Sequence, residues 1–360
     1  MANIEDIPIF FILGRPRSGT TLLTTLFNAH PNVRIAPEFP VMLFLYQRFK
    51  RVKKWDEPTI RLFVDHAFYY SRFNARRVEN LKIDKEFIIG ELLKYKDTGT
   101  VQTFLKSINY YAFSLYDKAE IKWIGDKNPV YSIFAHRLRK IFPEAKFICI
   151  NRDYRDNFIS IRKLVEKEVA VEAPSLTLQV SRWRYFARLF LNCKRRFPDK
   201  YYILRYEDLV TKQEDTVRSL CEFLGISYDP SVFDFYKKRD ETVKTYGNPV
   251  WEKFHGQLMQ PIHTGRMDTW KNDLTDDQVR MADQIAGKFA DRLGYQRLKG
   301  FSFWLWLKSR PMLLYNYILL TLMILGTYLP FKVSQWWFQK SLILLKTYLR
   351  FFGKKSVFNQ

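Results

Sequence analysis

The chain is poor in cysteine, in glycine and, at one end, in acid. Its three cysteines, Cys149, Cys193 and Cys221, stand far apart in 360 residues and show no metal-ligand spacing. That excludes a cysteine-built metal centre and speaks for a reducing compartment rather than a disulfide framework. Cys149 lies in an apolar strand pattern and reads as core. The first six residues lack a basic stretch, and the apolar run behind them is short, so no signal peptide is expected. No internal repeat and no low-complexity tract occurs. From Phe301 to Gln360 there is no Asp or Glu, against eight bases: Lys308, Arg310, Lys332, Lys340, Lys346, Arg350, Lys354 and Lys355.

What is present is a surplus of positive charge. Lys and Arg number 59 against 37 acids, a formal net charge of +22, which favours anionic partners. The bases form no known base-reading motif, so nucleic acid is not expected among them.

Near the start, the apolar run Ile7–Leu13 meets Gly14-Arg15-Pro16-Arg17-Ser18-Gly19-Thr20-Thr21 and then Leu22–Phe27. This reads strand, tight turn, helix. It aims a row of backbone N–H groups and the positive end of a helix at one spot, where a phosphate or sulfate binds. The glycine spacing is that of a Walker loop, but Thr20 stands where a nucleotide triphosphatase carries Lys. Arg17 supplies the positive charge instead, beside the hydroxyls of Thr20 and Thr21.

Further apolar runs at Ile121–Ile124, Lys146–Ile150 and Tyr201–Leu204 read as strands, with helical patterns over Val130–Ile141 and Tyr154–Glu166. Alternating strands and helices predict an α/β, three-layer, P-loop-like fold with a central parallel sheet. Residues about 39–120 are helix-like and aromatic-rich and read as an insert over the sheet. A capped helix is expected from Thr275 to about Leu293, ended by Gly294. The catalytic domain is expected over 1–300, with a basic, apolar helical tail over 301–360. In that tail Met312–Leu329 is an 18-residue uncharged stretch flanked by Arg310, Lys332 and tryptophans. It stands at the short end of the roughly 17–25 residues a bilayer span needs. Gln335–Phe352, with its interrupting bases, suits a helix lying in the interface. The tail is therefore expected to meet an anionic membrane surface, with the catalytic domain on the cytoplasmic face.

A second strand–helix junction runs Asn151-Arg152-Asp153-Tyr154-Arg155-Asp156 through Ser160. Ligands in open parallel sheets bind beyond the carboxyl ends of the strands, which brings Arg152 near the first loop, where it can hold a second phosphate. Together the two segments resemble the sulfotransferases that use 3′-phosphoadenosine 5′-phosphosulfate (PAPS). The Pro-Arg-Ser-Gly-Thr-Thr form is closest to the branch of tyrosylprotein and many bacterial enzymes. The resemblance covers about residues 7–295 and leaves out the tail.

The resemblance implies roles. Arg17, Ser18, Gly19, Thr20 and Thr21 correspond to the 5′-phosphosulfate loop, and Arg152 with Ser160 to the 3′-phosphate site. Glu38, 21 residues after Arg17, falls where that branch has its base. Lys127, in Gly125-Asp126-Lys127-Asn128-Pro129, matches a sulfuryl-contacting Lys. Tyr206 falls near the nucleotide, and Arg266, with Lys271, in a late loop that closes over it.

Sulfuryl transfer is an in-line displacement of a group less charged than phosphoryl, so no metal is called for. Positive charge on the leaving phosphate and a base for the acceptor hydroxyl suffice. The expected enzyme is a PAPS-dependent sulfotransferase acting on a hydroxyl acceptor, with the tail favouring a lipid-like or sterol-like alcohol or a membrane-linked glycan. The rivals are a P-loop kinase or nucleotidase, against which the absent loop Lys speaks, and an inactive membrane adaptor of the same fold. His30, His66, His136, His255 and His263 are the alternative bases.

Overall fold

A computed structural model describes residues 3–39, 42–71, 83–112, 114, 116, 118, 120–166, 175–238, 260–298, 300–330, 332, 333 and 336. Five strands, β1 (Ile9–Gly14), β2 (Val33–Ile35), β3 (Trp123–Lys127), β4 (Lys146–Asn151) and β5 (Tyr201–Arg205), form one sheet. Their order is β2-β3-β1-β4-β5, with every pair parallel. β1 is buried along its whole length, as a continuous apolar run between two helical layers requires. Its side chains alternate between the two faces. Phe11 stacks on Phe147 at 5.4 Å, and Phe147 on Tyr201 at 4.6 Å, an aromatic ladder across three strands. Phe10 and Ile12 enter the other core with Leu23, Leu26 and Phe27.

The helices, in chain order, are α1 (Thr20–Ala29), α2 (Met42–Phe49), α3 (Glu57–Ser71), α4 (Lys85–Leu93) and α5 (Val101–Tyr111). Then follow α6 (Ala135–Ile141), α7 (Tyr154–Glu166), α8 (Leu176–Arg196), α9 (Tyr206–Thr211) and α10 (Gln213–Leu224). The last are α11 (Trp270–Asp273), α12 (Asp276–Ala286), α13 (Lys288–Arg292) and α14 (Phe303–Gly326). Helices α2–α5 are the expected aromatic insert. Trp55 stacks on Phe104 at 3.9 Å, with Phe63 edge-on to both.

Three elements differ from the sequence reading. β2 has only three residues, too few for its pattern to stand out. The expected helix over Val130–Ile141 is divided into a 3-10 turn, Pro129–Phe134, and α6. In that turn Ser132 Oγ accepts from the Gly14 N–H at 2.8 Å and donates to the Gly14 carbonyl at 3.0 Å, which pins the turn to β1. The helix from Thr275 has the expected cap, a reciprocal capping box with Gln278, but breaks at Gly287 into α12 and α13. Gly287 has φ 55, and Arg184 donates at 2.7 Å to the Ile285 carbonyl freed there.

The uncharged stretch 312–329 lies mostly in α14, which packs along α8 and α12. No helix of the described residues is long and apolar enough to cross a membrane. The expected interfacial helix over Gln335–Phe352 lies, Trp336 apart, outside the described residues.

Candidate active site

The parallel register brings Gly14, Lys127, Asn151 and Arg205 to one edge of the sheet. The turn from β1 into α1 is tight because its neighbours leave no room. A Cβ on Gly14 would stand 2.6 Å from Thr20 Cγ2 and 2.9 Å from the Ile150 carbonyl. Gly19 has φ +94, and the Tyr206 ring lies against it. Arg17 also takes the left-handed region, at φ 69, which is uncommon for a side chain of its size. Gly19 caps α1 with no side chain, so the first-turn N–H groups remain available to an anion.

Arg15 braces this loop. It is buried and donates to Asn157 Oδ1 on α7 and Gln179 Oε1 on α8. Asn157 donates in turn to the Pro16 carbonyl at 2.9 Å and to Ser18 Oγ at 3.2 Å. Ser18 is thus turned toward α7. This brace was not read from the sequence, because Arg15 looks like one more loop cation until α7 and α8 are packed beside it.

Three guanidinium groups gather beside the loop. Arg17 Nε donates to Ser160 Oγ at 3.1 Å. Arg152 donates to the Arg17 carbonyl at 3.2 Å and to the Arg266 carbonyl, and lies 4.9 Å from the centre of the Tyr206 ring. Arg152 Nε is buried without a hydrogen-bond partner among the described residues. Burial, then the like charges of Arg266 and Arg152, push the Arg17 pKa down to about 10. Burial lowers Arg266 as well, with Arg152 adding to the effect. Like charges confined this way gain from an anion bound between them.

Opposite the arginines stand the two candidates for chemistry. Lys127, at the end of β3, donates to Glu38 Oε1 at 2.5 Å and to Thr21 Oγ1 at 3.4 Å. The ammonium therefore bridges the β1–α1 loop and the carboxylate. Lys127 is buried and Glu38 half-buried, in the segment between β2 and α2. Beneath them Asp126 accepts from Asn109 at 3.1 Å and from Asn128. Burial lifts its pKa to about 7.

A model of the sulfotransferase family matches residues 8–230. The chain belongs to the sulfotransferase family. Its curated relatives include protein-tyrosine sulfotransferase 1 of Danio rerio, 26% identical over 81% of this chain and 73% of that one. Protein-tyrosine sulfotransferase 1 of Homo sapiens is 25% identical over 81% and 70%. Among solved structures, the sulfotransferase domain from the curacin biosynthetic pathway superposes with a TM-score of 0.56, at 21% identity over 81% and 99% of the two chains. The sheet-and-helix fold is shared with it. The enzyme class expected from the sequence, a PAPS-dependent sulfotransferase, stands with this membership.

In this sulfotransferase the late loop is held by Asp156, which sequence reading passed over. Its carboxylate accepts from Asp268 N at 2.8 Å, Thr269 Oγ1 at 2.8 Å and Trp270 N at 3.1 Å. Burial raises its pKa despite these bonds. Arg266 is carried by this loop and so reaches the arginine cluster, whereas Lys271 pairs with Asp268 at the exposed surface, at 2.9 Å. Asp153 and Arg155 are bracing residues. Arg155 donates to Asp153 from its backbone and side chain, and its guanidinium covers Trp270 at 3.8 Å.

The described histidines have other partners. His30 bonds the Ser227 carbonyl at 2.8 Å and the Asn32 N–H at 3.1 Å. His66 sits edge-on to Phe49, His136 lies by Cys193, and His263 Nδ1 accepts from the Gly265 N–H. His255 lies outside the described residues.

Proposed function

We propose that the enzyme moves the sulfuryl group of PAPS to an acceptor hydroxyl with Glu38 as general base. The observation that carries this is Lys127, whose ammonium touches both Glu38 and Thr21 of the phosphate loop. One cation beside both halves of the reaction can neutralise charge on the transferring sulfuryl oxygens and hold the base in place. Glu38 takes the acceptor proton as the oxygen–sulfur bond forms, and the sulfur–oxygen bond to the phosphate breaks. Arg17, the α1 N–H groups and Thr20 and Thr21 receive the charge left on the 5′-phosphate. Arg152, with its unpartnered Nε, Ser160 and Arg266 hold the 3′-phosphate, and Tyr206 floors the site. Ser18 and Gly19 shape the loop. No metal has a part in this scheme.

Calorimetry tests the donor half. 3′,5′-ADP is expected to bind much more tightly than ADP or ATP, and without magnesium; equal binding of magnesium–ATP would return the kinase reading.

For the acceptor, the basic, acid-free stretch Phe301–Gln360 supports a membrane-borne alcohol: a lipid-like or sterol-like one, or a membrane-linked glycan. The protein-tyrosine sulfotransferases among the relatives support a tyrosine hydroxyl instead. Radiolabelled PAPS offered to lipid extracts and to tyrosine peptides separates the two by where the label goes.

A further inference from the structure

Helix α14 is apolar on both sides: Leu313, Leu320, Met323 and Ile324 pack against the domain, yet its outer face is apolar as well. Its four buried positions are Ser309, Asn316, Leu320 and Gly326, three of them polar or small. Thr327, just beyond, is buried too, and Asn316 Nδ2 donates to the Leu178 carbonyl at 3.4 Å. The outer face carries Trp304, Leu307, Leu314, Ile318, Leu322 and Leu325, exposed by 40% to 74%. They follow one another at steps of three, four and seven, which makes them one stripe along the helix. Water selects against such an outer stripe and puts Ser and Asn outward instead. A lipid-facing helix turns its small and polar side chains to the protein and its leucines away.

The helix is held at its flank and at its C-terminal end. Tyr317 meets the ring of Tyr185 on α8 at 6.2 Å. At the far end Arg137 donates to the Thr327 carbonyl at 3.3 Å and covers the Tyr328 ring at 4.3 Å. A helix docked along one side offers its other side, not an end, to whatever covers it. The charge along its own segment has one sign: Lys308 and Lys332 are exposed, and no acid occurs from Phe301 onward.

We propose that the outer face of α14 seats the enzyme on an anionic lipid bilayer, with the leucines at the acyl boundary and the lysines at the headgroups. This rests on the exposed apolar stripe and on charge complementarity, and is independent of which hydroxyl is sulfated.

The test is flotation of the full chain with vesicles of phosphatidylcholine and phosphatidylserine in equal parts, and of phosphatidylcholine alone. The wild type is expected to float with the anionic vesicles and to leave them at high salt. Leu314→Glu with Ile318→Glu, both on the outer face, is expected to weaken partition at least about tenfold while 3′,5′-ADP binding is unchanged. A second measurement does not depend on that variant folding. Cys149, Cys193 and Cys221 are buried, so Leu322→Cys can be labelled selectively with a solvatochromic dye, whose emission is expected to shift blue on the anionic vesicles. A wild type that stays off the vesicles, a double variant that floats as well as the wild type, or dye emission that vesicles leave unchanged would each overturn the proposal. So would a dimer in vesicle-free solution that the double variant breaks, since a second copy would then cover the face.

Discussion

The two sides of the proposed site, one for the donor and one for the acceptor, are built on different principles. The donor side, around the β1–α1 loop and α7, is held by directed polar contacts: Arg15 to Asn157 and Gln179, Asp156 to the late loop, and Arg152 to two backbone carbonyls. The acceptor side, from Glu38 through α5, is held mainly by aromatic packing among Phe49, Trp55, Phe63 and Phe104. Hydrogen bonds fix angles and distances, which a nucleotide with two phosphates needs. Packing fixes shape and volume and specifies little polar chemistry. Lys127 and Glu38 stand where the two meet.

Four substitutions probe that contrast. The largest effect is expected from Glu38→Gln, which keeps the shape and removes the proposed base. Turnover is expected to fall roughly 10²–10⁴-fold with 3′,5′-ADP affinity nearly unchanged, measured by initial rates and calorimetry. Retained turnover would move the base elsewhere, with His66 and His136 tested next.

Trp55→Ala cuts into the packed side alone. A stability loss of about 3–5 kcal/mol is expected in denaturant unfolding. A loss near zero would mean that the insert does not depend on this stack.

Arg152→Ala acts on the polar side. The loss of a charge-assisted phosphate contact is expected to weaken 3′,5′-ADP by about 10–100-fold, with little change in unfolding midpoint. If affinity holds and stability falls instead, Arg152 is a brace like Arg15.

The smallest effect concerns Asp126, at the junction. Burial raises its folded pKa to about 7 from 3.8. The folded protein therefore holds this proton more tightly than the unfolded chain does. The associated stability is full below 3.8 and is lost as pH rises through about 7. Asp126→Asn is expected to flatten the decline of the unfolding temperature across that window, seen in thermal melts at a series of pH values. Melts that run parallel for the two proteins would remove Asp126 from the balance.

Much of the donor side was legible in the sequence because it is local. Gly14, Gly19 and the apolar runs on either side specify a strand, a left-handed turn and a helix within about twenty residues. Arg17 and Ser160 meet in the fold, across 143 positions of sequence. The polar braces were not legible. Nothing around Arg15 or Asp156 tells whether a charged side chain will meet solvent, a ligand or a buried partner. The 3-10 turn at Pro129–Phe134 and the break at Gly287 belong to the same group, since each follows from a distant partner, Gly14 or Arg184.

The C-terminal region marks the boundary most clearly. By itself the sequence determined that Phe301–Gln360 is apolar, aromatic and of one charge sign, and that a strand, a tight glycine turn and a helix around Gly14–Gly19 belong to a parallel sheet. These are properties of composition and of short-range periodicity, which neighbours along the chain settle. Only the tertiary structure decided which face of α14 meets the domain, that Lys127 reaches both Glu38 and Thr21, and that three arginines share one site. Each of these joins residues many positions apart. Their meeting depends on strand order and helix packing, and the free energy that fixes it comes from the whole core.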